Sequence, residues 1–256
     1  MKIISALLAA ALLGFVGAAK AQAPSAPKSE IATLIEKALA SDIRTPEERA
    51  RDATERKPVQ TLEFFGLQPA MTVVELFPGA GWYTKILAQV LAEKGKYYAA
   101  IGASRLVPKL KEWKLDKAGV VDAKVDLKPT GQYGVFASDV VELPIRDVDM
   151  VLTFRNYHNM VPETRALLNK AVFAALKSGG IYGIVDHTRR HMDPGNSEIW
   201  RRVDPVLVIK EVESAGFEFV DFSTLHYRPD DDLRFDSQRE SLKGYSDRFT
   251  LKFRKR

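Results

Sequence analysis

Between Thr72 and Thr84 the chain reads Thr-Val-Val-Glu-Leu-Phe-Pro-Gly-Ala-Gly-Trp-Tyr-Thr, and no other stretch limits the possible folds as much. Its apolar run, Val73-Val74-Glu75-Leu76-Phe77, lacks the alternation of a half-exposed strand and is too short for a helix. It therefore reads as a strand buried on both faces. A turn rich in glycine follows at once, and residues 82–92 then repeat at helical spacing. A strand covered on both faces needs helices above and below it, and the rest of the chain supplies them. Residues 96–101, 133–137, 148–154, 180–186 and 217–222 read as strands; 104–115 (with Pro108 near its start), 163–176 and 205–215 read as helices. Residues 120–127 fit a strand or a helix continuation equally, and 248–253 alternate like an edge strand. The alternation predicts an α/β fold, a Rossmann-like, mostly parallel sheet with helices on both faces.

Upstream, Ile31, Leu34, Ile35, Ala38 and Leu39 recur at helical spacing. A second helix is announced by Thr45-Pro46-Glu47-Glu48, where Thr45 can cap, Pro46 takes the first helical position and Glu48 can close a capping box. The charged stretch from there to Lys57 reads as a solvated face. At the very start, Lys2 precedes an apolar run over residues 3–19 and the small-residue pattern Ala19-Lys20-Ala21. This pattern predicts a secretory signal peptide cleaved after Ala21, hence a periplasmic or secreted protein. The alternative, an uncleaved anchor, rests on a run at the short end of what spans a bilayer. No later segment is apolar enough to span, so no stable membrane insertion is expected. The predicted organisation is a leader over 1–21, a linker with N-terminal helices over 22–57, and one main domain over 58–256.

The chain has 256 residues, with 38 Lys+Arg against 33 Asp+Glu and a formal charge of +5. Losing Lys2 and Lys20 with the leader leaves +3, too small an excess to argue for nucleic acid. A small-molecule substrate is the expected partner. The absence of cysteine excludes thiolate catalysis, cysteine-ligated zinc and iron–sulfur clusters.

The motif Glu75-Leu76-Phe77-Pro78-Gly79-Ala80-Gly81-Trp82-Tyr83-Thr84 resembles the first motif of the class I S-adenosylmethionine-dependent methyltransferases. It is most similar to a group of predicted exported methyltransferases that carry Glu-Leu/Ile-x-Pro-Gly-x-Gly-Trp-Tyr-Thr. Three further pieces resemble that group: residues 149–159, residues 176–180 leading to Val185-Asp186-His187, and residues 247–253. The resemblance runs from about Arg56 to the C-terminus and implies a seven-stranded sheet with S-adenosyl-L-methionine as cofactor. It implies that Glu75 supports the glycine loop and that Gly79 and Gly81 are its last two glycines. Pro78, Tyr83 and Asn156 would border the cofactor, and Asp139 would contact the adenine amino group. Two departures stand out: Phe77 replaces the usual first glycine, and residues 97–102 end without the acid that normally holds the ribose. The dinucleotide fingerprint fails at Thr84, so a classical NAD site is disfavoured.

Methyl transfer needs an aligned nucleophile and, where required, a base to remove its proton. Two of the four histidines fall at strand exits, His158 and His187, and either is a candidate general base. Arg155 or Arg189 would attract an anionic group of the substrate, although Arg155 could instead pair with Asp149 or Glu163. Trp82 is expected in the core, and Asp230-Asp231-Asp232 and the basic C-terminus on solvated surface. A metal site is a weaker alternative, with His187 and His191 spaced four apart between Asp186 and Asp193. The reading that follows is a methyltransferase acting on an unknown acceptor. Its rival is a non-catalytic exported binding module that kept the fold.

Overall fold

The computed structural model describes residues 28–256, so the expected leader lies outside the described residues. The apolar run becomes Thr72–Leu76 (β1), an inner strand of a sheet, with Lys96–Ala100 (β2) and Gly119–Val121 (β3) to one side. On the other side lie Val148–Phe154 (β4) and Leu176–His187 (β5). Phe217–Ser223 (β6) forms the rim, and Arg248–Lys255 (β7) is inserted between β6 and β5. β1 to β5 are mutually parallel, and β7 runs antiparallel to both its neighbours. The sheet is seven-stranded and mostly parallel, with helices on both faces.

β7 is thus not an edge strand, as its alternation suggests. A period of two reports which face is apolar; it carries no information on whether a neighbour occupies each hydrogen-bonding side. Residues 120–127 resolve into the end of β3 and a two-residue ladder, Lys124–Val125 against Val141–Glu142. Residues 133–137 keep only Phe136–Ala137 as strand, paired with Lys128–Pro129.

Seven helices flank the sheet: Glu30–Leu39 (α1), Pro46–Arg51 (α2), Pro58–Phe65 (α3), Thr84–Val90 (α4), Val107–Glu112 (α5), Pro162–Ala175 (α6) and Pro205–Ser214 (α7). Successive residues of β1 point to opposite cores. Val73 packs with Ile35 of α1, Phe65 of α3 and Leu87 of α4, whereas Val74 packs with Leu168 of α6 and Val208 of α7. The N-terminal helices therefore share a core with the sheet.

Three charged stretches are mostly exposed or half-exposed, as read, but each is tied down at one or two residues in it or next to it. After α2 the chain makes a wide π-type turn, Asp52–Arg56, which Lys57 ends in a left-handed conformation before Pro58. Arg44 is buried and forked onto Asp52 at 2.6 and 2.7 Å; Arg56 is buried with its guanidinium 4.6 Å from the Trp82 ring. The long stems of these side chains pack; the charge of Arg44 is paired with Asp52, and that of Arg56 lies over aromatic rings with no ion pair among the described residues. Asp231, at the middle of the acidic run, is buried and bound twice by the buried Arg202 at 2.9 and 3.0 Å. Near the C-terminus, Lys252 donates to Phe64 O and Lys255 to Leu176 O. Among the described residues no helix is long and apolar enough to cross a membrane.

Candidate active site

In an open parallel sheet, ligands bind outside the carboxyl ends of the strands where connections diverge, here between β1 and β4. The chain leaves three strands at this edge through left-handed, non-glycine residues: Phe77 after β1 (φ 52°), Ile101 after β2 (φ 56°) and Arg155 after β4 (φ 62°). Such conformations cost about 1–3 kcal/mol each for bulky side chains and gather at functional sites. Asn156 spans the crevice, its Nδ2 donating to Phe154 O at 2.9 Å and to Phe77 O at 3.3 Å.

The glycines of the turn do different work. Gly79 is exposed at φ 58°, and a Cβ there would meet nothing within 4 Å; Gly102, just past β2, is equally open at φ 68°. At Gly81 (φ 85°) a Cβ would stand 2.7 Å from the Trp113 ring, so packing demands that glycine. Pro78 between the strand and the glycines is buried, and Asp139 is exposed. Beneath the turn, the buried Glu75 accepts hydrogen bonds on Oε2 from Tyr97 at 2.6 Å and from Thr84 at 2.8 Å. Burial pushes its carboxyl up to about 7, against the pull of those two donors. Glu75 thus ties β1, β2 and α4 together under the loop.

Trp82 is in the core, as its position suggests, with Nε1 donating to Glu48 O at 3.3 Å. Tyr83 is buried too. Its ring stacks on Phe154 at 3.6 Å, its hydroxyl donates to Arg56 O at 3.4 Å, and burial pushes that hydroxyl up to about 12. The hydroxyl is therefore already engaged by the protein's own backbone.

Over the exits of β4 and β5 lies a cleft of about 640 Å³, bordered by Arg155, His158, His187 and Trp200, and by Arg51 and Glu55 from the N-terminal segment. A second cleft, about 470 Å³, shares His158 and Trp200 with it and borders Arg189. His158 lies in a short turn, Tyr157–Asn159, with Nδ1 2.6 Å from Asp186 Oδ1, both side chains almost fully buried. The carboxylate is itself fixed, accepting the backbone N–H of His158 at 3.1 Å and of His187 at 2.7 Å. His187 turns Nδ1 to Ser246 Oγ at 3.0 Å. Its burial, and secondarily the cations Arg248, Arg155 and Arg202 with His158, hold it well below the ordinary imidazole range. It is a neutral ring at working pH.

Arg155 pairs with neither Asp149 nor Glu163. Asp149 sits at the opposite end of β4, bound to Lys177 and to Thr72 N, and Glu163 is exposed on α6. The imidazoles of His187 and His191 also diverge, since His191 Nδ1 faces Asp204 at 2.9 Å. Among the described residues no three His, Cys, Asp or Glu converge to hold a metal. Sequence reasoning overlooked Arg51, Glu55, Arg56 and Trp200. The only signal for the first pair was the i, i+4 spacing of an Arg and a Glu.

No family model matches the chain, and no curated protein matches it. Among solved structures, a SAM-dependent methyltransferase from Aquifex aeolicus is similar at 18% identity and a TM-score of 0.53, over 87% of this chain and 97% of that one. The fold is that of class I methyltransferases. Human N-acetylserotonin methyltransferase in complex with SAM covers 88% of this chain with 56% of its own length, at 14% identity and a TM-score of 0.52. The [4+2]-cyclase SpnF is just as similar: 13% identity, TM-score 0.53, 88% of this chain and 92% of that one. One architecture thus serves different chemistries, and the reaction has to be argued from the site.

The open residues at the β1 and β2 edge are few. Gly79 and Gly102 leave open backbone at adjacent strand ends, and Asp139 presents a free-standing carboxylate. Where a ribose-binding acid would end β2, the chain has Ile101-Gly102.

Proposed function

We propose that the protein is a S-adenosylmethionine-dependent methyltransferase whose acceptor lies in the cleft over β4 and β5, with His158 as general base. One observation carries the reading: a buried imidazole–carboxylate pair, His158 and Asp186 at 2.6 Å, follows closely on Asn156, which is hydrogen-bonded to Phe77 O at the start of the open glycine turn. Gly79, Gly81 and Pro78 would hold the cofactor through the turn, braced by Glu75 from below. Asp139 would meet the adenine amino group, while Asn156 and Tyr83 keep the crevice walls in place. When bound, the cofactor supplies an electrophilic methyl group whose bond to sulfur breaks with both electrons leaving on sulfur.

A carboxylate can only accept, so the proton of His158 sits on Nδ1 and the lone pair on Nε2. Nε2 then takes the proton of an acceptor hydroxyl or amine, and Asp186 stabilises the imidazolium that results. Burial and the surrounding cations weaken the basicity of His187, and its Nδ1 already faces Ser246 Oγ, so it supports the site without serving as the base.

Titrating the protein calorimetrically with S-adenosylhomocysteine tests the reading. Micromolar binding that disappears in Gly79→Arg is expected, because a Cβ at this position meets only open space and the side chain would stand where the ligand approaches the turn, with the left-handed backbone strain as its cost. No heat at millimolar ligand would overturn it. In His158→Ala, binding should persist while transfer of labelled methyl to a small-molecule extract falls by about 10²–10⁴. Unchanged transfer would remove His158 from the base role.

A further inference from the structure

Elsewhere in this molecule, buried arginines obey the rule that a buried charge is paired. Arg44 is forked onto Asp52, Arg202 onto Asp231, and Arg165 onto Glu211 at 2.6 and 2.8 Å. The wall of the cleft breaks that rule. Arg51 and Arg155 border the cleft, and Arg56 and Arg248 lie behind Arg155 around a separate small void; Glu55 and Asp186 are the carboxylates that act on Arg155. Glu55 is already committed to Arg51, at 2.8 and 3.0 Å, and reaches Arg248 only at 3.9 Å. Arg155 and Arg56 form no ion pair among the described residues.

The cost shows in the titration of the group. Burial, followed by repulsion from Arg155, brings Arg248 down to about 10, still cationic at neutral pH. Arg56 and Arg155 are lowered for the same reason, burial first and neighbouring guanidiniums second. The protein therefore maintains an excess of unneutralised positive charge in one place. Of that group, Arg51 and Arg155 reach the cleft that also borders His158, and Arg56 and Arg248 back Arg155 from behind.

We infer that this cluster is an anion-binding subsite and that the acceptor is a small anionic molecule carrying a carboxylate or phosphate. The inference rests on the proposed methyl-transfer reading for the word acceptor, but the subsite itself stands on the arginines alone. A guanidinium offers a planar fork that matches either oxyanion with two parallel hydrogen bonds. Arg155 leads the recognition: it is the strand-exit residue, held at φ 62° by its backbone bond to Val185 O, and it borders the same cleft as His158. Trp200 borders the cleft as well, its ring centre 6.1 Å from that of His158, and offers a face for the body of the acceptor.

The full chain titrated at low ionic strength with inorganic phosphate and, separately, with benzoate tests this. At least one anion is expected to bind once per chain and raise the melting temperature. Arg155→Gln should weaken that binding tenfold or more, and Arg155→Lys should recover part of it. Phosphate alone would assign a phosphorylated acceptor, and benzoate alone a carboxylate. Should Arg155→Gln fail to fold, Arg51→Gln at the more exposed end of the cluster is read in its place. Affinities for both anions weaker than about 10 mM would overturn the subsite. Wild-type affinity in Arg155→Gln, or in its replacement, would do the same. A parallel titration with S-adenosylhomocysteine separates the two proposals. Anion binding without it removes the methyl-transfer reading and keeps the subsite; the reverse removes the subsite and keeps methyl transfer.

Discussion

Glu75 shows how one residue can serve the site at a cost to stability. Burial raises its carboxyl to about 7 in the folded protein, whereas in the unfolded chain a glutamate titrates near 4.3. The fold therefore binds this proton more tightly than the unfolded state does. The stabilisation it brings is complete below about pH 4.3 and is lost as the pH rises through about 7, amounting to about 4 kcal/mol in full. Gln in its place still accepts from Tyr97 and Thr84 but has no charge to bury. Urea denaturation should show Glu75→Gln gaining about 3 kcal/mol on the wild type between pH 4.5 and 8. Parallel stability curves would mean that the carboxylate is better solvated than its surroundings indicate. His226 works in the opposite direction. Burial depresses it to about 4, so its stabilisation is present above pH 6.5, the unfolded value, and is lost as the pH falls towards 4.

The strand–turn–helix element at β1 combines two glycines whose constraints differ. Gly79→Ala adds a Cβ in open space and carries only the left-handed penalty, about 1–2 kcal/mol. Gly81→Ala carries that penalty and also drives a Cβ into Trp113 at 2.7 Å. It should be less stable than Gly79→Ala by a further 1–3 kcal/mol or so in urea denaturation. Equal losses would mean that Trp113 yields freely. The sequence revealed this element because its signals are local: an apolar run, a turn, a helical period. The same holds for α2, whose capping box forms as read, with Thr45 Oγ1 3.3 Å from Glu48 N and Glu48 Oε2 3.0 Å from Thr45 N. Which glycine faces a ligand depends on Trp113, 32 positions away, and no local pattern carries that. His158 and Asp186 were each visible as strand-exit residues. Their pairing follows from the parallel alignment of β4 with β5, which periodicity does not encode. Arg51, Glu55 and Arg56 were missed because hydropathy sends charge to solvent, while here the rings of Trp82 and Tyr83 cover the Arg56 guanidinium.

At the scale of the whole molecule, the N-terminal layer closes one core and builds one wall of the cleft. Ile31, Ile35 and Ala38 of α1 and Leu62 and Phe65 of α3 cover the face of β1 and β4 that α6 and α7 leave bare. The segment between them is pinned over the carboxyl edge at several points. Lys57 Nζ donates to Leu225 O at 2.7 Å, Arg248 Nη1 to Glu55 O at 2.7 Å, and Lys85 pairs with Glu48 at 2.9 Å. A layer fastened both to the core and to the last strand cannot come away without exposing the site, so the fold should behave as one cooperative unit. Ile35 is fully buried where α1 meets that core, and Ile35→Ala should cost about 2–5 kcal/mol. Far-UV circular dichroism and intrinsic fluorescence should report the same lowered midpoint, because the loss falls on the entire structure. Separate transitions, with helix signal lost before tryptophan burial, would instead make the N-terminal layer an independent flap and detach Arg51 from the rigid wall.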